Sequence, residues 1–190
     1  MNTASKIIRR FTVPPVFAAL LMTVVYISHP DYFGAFWQLP VSILFLSVLP
    51  TLAYPLQRFI PRFKNGGRKA QRTLAMIFSF IGYLGGTALS FITAAPAKLK
   101  LIFLEYLLCG VLMIILNKLC GIKASGHACG VVGPVLMLGY LKLFIPAVIC
   151  AALVVPVYVS SVRAKHHTVG QLVVGSAIPA VNLAFLSIFF

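Results

Sequence analysis

Histidine is the only side chain in this 190-residue sequence that titrates near neutral pH and is present in quantity, and the four histidines are unevenly placed. His29 stands in a short aromatic connection with no obvious partner. His127 closes the run Lys123-Ala124-Ser125-Gly126-His127, directly before the Gly- and Val-rich stretch Ala128 to Leu141. Small residues at a helix start let backbone N–H groups approach an anion, the helix dipole favours negative charge there, and Lys123 adds a full positive charge. The pattern predicts a phosphate pocket on Lys123, Ser125 and Gly126, with His127 beside it as an acid–base group.

The second histidine cluster reads Ser160-Ser161-Val162-Arg163-Ala164-Lys165-His166-His167-Thr168-Val169-Gly170-Gln171 and then becomes apolar. His167 and Gln171 are four apart, so on a helix they share a face and the amide can orient the imidazole. Arg163 and Lys165 can hold phosphate oxygens in the preceding loop, Arg with two parallel hydrogen bonds. His166 would point about 100° away from His167 on a helix and is read as a membrane-surface residue. Taken singly, each cluster also reads as a plain basic helix end. A metal site from His127, His166, His167 and Cys120 or Cys129 matches no common ligand spacing. No metal and no cofactor is expected. Cys109, Cys120, Cys129 and Cys150 form no CxxC pair and read as small core residues.

The elements that must carry these residues are set by composition. Residues of the apolar set make up 61% of the chain and charged residues 9%, which leaves too little polar surface for a soluble domain. At roughly 20 residues per crossing, the length suits six or seven membrane helices in one all-α, polytopic integral membrane domain over residues 1–190. Apolar runs predict helices near 13–28, 38–57, 73–95, 101–117, 126–141, 143–160 and 168–190. Pro40, Pro50, Pro55, Pro134, Pro146, Pro156 and Pro179 are expected to kink or end them. The basic N-terminus is followed by no small-residue cleavage site, so the first apolar run is expected to remain as a helix.

Charge removes further classes of function. The only acids are Asp31 and Glu105, too few for paired-carboxylate hydrolysis or two-metal phosphoryl transfer. A net charge of +14 could suit nucleic acid, but apolar spans interrupt the basic residues, so anionic lipid is the expected partner and nucleic acid is not. Arg58, Arg62, Lys64, Arg68, Lys69 and Arg72 concentrate around Asn65-Gly66-Gly67 and read as a positive-inside loop. With seven crossings, Lys6, Arg9, Arg10 and this loop lie inside, and Lys98, Lys100 and Lys142 outside. The same parity puts connections 118–125 and 161–167 on the cytoplasmic face, and the short chain suggests a prokaryotic plasma membrane.

Together, the two histidine clusters resemble the phosphatidic acid phosphatase type 2 superfamily of membrane lipid phosphatases, whose motifs are written KxxxxxxRP, PSGH and SRxxxxxHxxxD. Lys123 to His127 looks like the second motif with Ala124 for its proline. Ser160 to Gln171 looks like the third, with the histidine at His167, Ser161 at the arginine position and Gln171 at the aspartate position. Some polyprenyl-diphosphate phosphatases of the family carry a similar His-Thr-x-x-Gln pattern. Candidates for the first motif's basic residues are Asn117-Lys118 and Lys123. The likeness covers residues 101–190, and the two histidines lie forty residues apart.

The resemblance implies a helical membrane enzyme that removes phosphate from a lipid phosphate or polyprenyl diphosphate without a metal. It assigns His167 as the nucleophile, forming a phosphohistidine, and His127 as the acid that protonates the leaving oxygen. Lys123, Arg163 and backbone N–H groups near Ser125 and Gly126 would hold the phosphate, and Gln171 would orient His167 without the charge of an aspartate. A different class of function fits the same residues: a phosphatase-fold protein that binds or moves phosphorylated lipids without turning them over. A basic membrane scaffold would depend on neither histidine. The sequence fixes no oligomeric state.

Overall fold

The computed structural model describes residues 13–164 and 167–190, and among them every regular element is helical. Lys6, Arg9, Arg10, Lys165 and His166 lie outside the described residues. Seven helices follow one another through short connections: α1 Pro14–Ser28, α2 Gln38–Phe59, α3 Gly67–Ile92, α4 Ala97–Leu119, α5 Gly126–Tyr140, α6 Phe144–Arg163 and α7 Val169–Leu186. Five of them, all but α1 and α5, are long and apolar enough to cross a membrane. The chain is an integral membrane protein built as a helical bundle. The two 15-residue helices reach only about 22 Å, short of a typical hydrocarbon core.

Local chemistry explains the boundaries. Pro14 and Pro15 open α1, where a missing N–H costs nothing and a fixed φ is already helical. In α2 the turn Leu44–Val48 widens just ahead of Pro50, whose ring nitrogen has no proton to offer the Leu46 carbonyl. Pro55, Pro134, Pro156 and Pro179 sit inside helices and end none of them. Helices α3 and α4 begin earlier than apolar runs predict, at Gly67 and Ala97 instead of 73 and 101. The physical reason is that long cations are tolerated in a terminal turn, where their stems lie along apolar surface while the heads reach outward. Lys98 does this, donating to the Phe190 carbonyl at 3.0 Å and to Tyr140 Oη at 3.3 Å.

The core joins Leu21, Met22 and Val25 of α1 to Leu101, Ile102 and Phe103 of α4 and to Met137 and Leu138 of α5. Helix α5 is central, packing against α1, α6 and α7. Tyr158 Oη and Ser176 Oγ share a hydrogen bond between α6 and α7. Outward, α6 exposes Ile145, Val148, Ile149 and Val155, the surface a lipid-facing helix needs.

Candidate active site

Both histidine segments open a helix, and their N-terminal turns meet. Ser125 caps α5: its Oγ accepts from the Ala128 N–H at 3.3 Å, which fixes the first turn that carries Gly126 and His127. Thr168 caps α7 in the same way, accepting from the Gln171 N–H at 3.3 Å, while the Gln171 side chain returns to the Thr168 N–H at 3.4 Å. The Ser125 N–H then donates to the Gln171 carbonyl at 2.9 Å, tying one motif's backbone to the other. That bond requires close approach of α7, and Gly175 allows it. A Cβ at Gly175 would run into the buried Ser125 backbone.

The connection before α5 is shaped by Asn117. Its amide donates to the Met113 carbonyl at 2.9 Å and its oxygen accepts from the Ala124 N–H at 3.0 Å. The preceding wide turn, in which the Cys120 N–H reaches back to Ile115, places Asn117 for this. Asn117 therefore positions the loop.

The hydrogen bonds around His167 assign its tautomer. A backbone N–H can only donate, so the Thr168 bond identifies the Gln171 atom as the amide oxygen, an acceptor. His167 Nδ1, 3.1 Å from the same oxygen, must then carry the proton it donates. In the neutral ring Nε2 is left with its lone pair, the form an imidazole nucleophile requires.

His127 and His167 line one cavity of about 460 Å³. Its α5 wall runs through Gly126, His127, Cys129, Gly130, Gly133, Pro134 and Met137, so it extends about 15 Å along the helix axis from His127 to Met137. Across from it stand Arg72, Ser79 and Tyr83 of α3 and Glu105, Tyr106 and Cys109 of α4. Such a space places two imidazoles at one end and leaves room for an apolar chain below them.

Of the residues expected at a site, His127, His167 and Gly126 line the cavity, whereas Ser125 and Gln171 support it from behind. Lys123 and Arg163 are exposed at the same end and do not line it. Ser161, in the arginine position of the third motif, is buried, so a guanidinium there would enter the bundle. The cation that does line the cavity is Arg72, which the sequence reading assigned to the basic loop. Its signal was helical spacing: Arg72, Met76, Ser79 and Tyr83 recur at three- and four-residue intervals and all line the cavity. Glu105, Cys109 and Met113 repeat this on α4. His29 lies elsewhere, stacked on Tyr32 with ring centroids 4.6 Å apart and 3.9 Å from the Asp31 carboxylate.

Compared with protein-family models, curated proteins and solved structures, the chain matches none.

Proposed function

We propose that this protein is a membrane lipid phosphatase that removes phosphate from a lipid phosphate or polyprenyl diphosphate through a phosphohistidine on His167. The observation that carries the reading is the meeting of the two histidine segments at one cavity mouth, with His167 held as the Nδ1–H tautomer by Gln171. His167 Nε2 attacks phosphorus, the bond from phosphorus to the lipid oxygen breaks, and His127 gives that oxygen its proton. Water then attacks the phosphohistidine, His127 takes up the proton released, and inorganic phosphate leaves with His167 restored. Arg72 and the N-terminal turn of α5 hold the equatorial oxygens, where negative charge collects. The resemblance of Lys123–His127 and Ser160–Gln171 to the type 2 phosphatidic acid phosphatase motifs supports the same roles.

We infer further that the site faces the cytoplasm, in a prokaryotic plasma membrane. Arg72 stands in the second turn of α3, directly after the basic connection that begins at Arg58, and it lines the cavity with His127, so the basic segment and the site share one end of the bundle. Positive-inside asymmetry applies to both at once, with Lys98, Lys100 and Lys142 at the other end. Single cysteines introduced near Gly67 and near Ala164 should label from the same, inner side.

The decisive experiment uses purified protein in detergent with EDTA. It should release phosphate from diacylglycerol phosphate or a polyprenyl diphosphate, and denatured enzyme quenched during turnover should carry acid-labile phosphate. Undiminished release by His167→Ala would sink the mechanism. Binding of both lipids with no turnover by the wild type would instead favour a lipid-binding or lipid-moving protein.

A further inference from the structure

Glu105 is one of two acids in the chain and the only one on a membrane-spanning helix. It is 3% exposed, its Oε1 accepts from the Cys109 thiol at 3.3 Å, and its Oε2 has no partner among the described residues. The neighbouring Tyr106 Oη is equally buried and equally without a partner there. Buried polar atoms are nearly always hydrogen-bonded, and an ionisable side chain inside a membrane bundle is costly to keep. Both residues line the cavity that holds the histidines.

Their depth follows from the helices. Cys109 and Cys129 pack in one buried cluster, and Cys129 is two residues beyond His127. Glu105 lies one turn, about 6 Å, further along α4. The two unpartnered oxygens therefore stand below the phosphate position and above the Met137 end of the cavity. A purely hydrocarbon occupant would leave both without a hydrogen bond, a state that buried polar groups seldom keep.

We propose that Glu105 and Tyr106 form a hydrogen-bonding subsite that grips the polar linker of a lipid phosphate, an ester carbonyl or free hydroxyl a few bonds from the phosphorus. This rests on the phosphatase reading and names the substrate feature selected at that site. A polyprenyl phosphate has no such group, since its chain is hydrocarbon directly beyond the phosphate. The subsite thus separates two lipids that share the same reacting end.

Tyr106→Phe removes a single oxygen that bonds to nothing among the described residues, so its thermal unfolding in detergent should match the wild type. The readout is the ratio of KM for a polyprenyl phosphate to KM for diacylglycerol phosphate. Loss of one hydrogen bond should lower that ratio by ~5- to 10-fold in Tyr106→Phe, with a further fall in Tyr106→Phe combined with Glu105→Leu. An sn-2 lysolipid and an ether-linked analogue tell the hydroxyl from the carbonyl as the gripped group. A ratio equal to that of the wild type in both variants overturns the subsite. If the wild type turns over neither lipid, the phosphatase reading fails by itself, and the same comparison is made by equilibrium binding of the two lipids. A binding preference for the diacyl lipid that Tyr106→Phe abolishes upholds the subsite, and no preference, or one left intact, refutes it.

Discussion

The two walls of the cavity are built by different means. On the α5–α7 side the polar residues come in contiguous runs, and backbone caps and one interhelical hydrogen bond hold them in place. On the α3–α4 side they recur at helical spacing, with Glu105 and Tyr106 the one adjacent pair, and the packing of two long helices holds them. In the proposed mechanism the first wall presents the chemistry, and the second supplies the cation Arg72 and the polar pair Glu105 and Tyr106. The contrast teaches that a reactive centre can be local in sequence while its recognition surface is distributed.

The largest effects should fall on the first wall. His167→Ala should lower kcat by ~10^4-fold or more, as loss of a nucleophile does, and His127→Ala by ~10^2- to 10^4-fold, both measured as phosphate release. Next comes the joint between the motifs: in Gly175→Ala the new Cβ presses on the Ser125 backbone. Stability should drop by ~1–3 kcal/mol and kcat by ~100-fold through misplacement alone, read from thermal unfolding and steady-state kinetics together. The second wall should act on binding. Arg72→Ala should raise KM ~10- to 100-fold, the worth of a charge-assisted hydrogen bond, with a smaller change in kcat. The smallest effect is expected for Lys123→Ala and Arg163→Ala, exposed and off the cavity, each below about fivefold. If Arg163→Ala outweighs Arg72→Ala, the division between the two walls is wrong.

This division also marks how far the sequence could be read. Composition set the helical membrane class; the contact of His167 with Gln171 was expected on one helix face, whereas His167 precedes the Thr168 cap and the capping box brings the amide to it. The spacing of Arg72, Met76, Ser79 and Tyr83, and of Glu105, Cys109 and Met113, marks one face on each helix, but only the packing of the bundle turns those faces toward the histidines. Treating cations as helix ends hid the first turns of α3 and α4, and with them the face carrying Arg72. The wide turn Ile115–Leu119 contains no proline, so the hydrogen bond that Asn117 accepts beyond it, from the Ala124 N–H, had no local signature.

Gln171 takes two donors, the Thr168 N–H and His167 Nδ1–H, on one oxygen. A carboxylate could receive the same two hydrogens on either of its oxygens and would look alike after a half-turn. An amide has one acceptor end, and the half-turn would set its NH2 group against two donors. The amide is therefore registered in a single orientation, and it keeps the ring proton on Nδ1 with no negative charge beside it: in the proposed mechanism the site does without electrostatic support for the imidazolium.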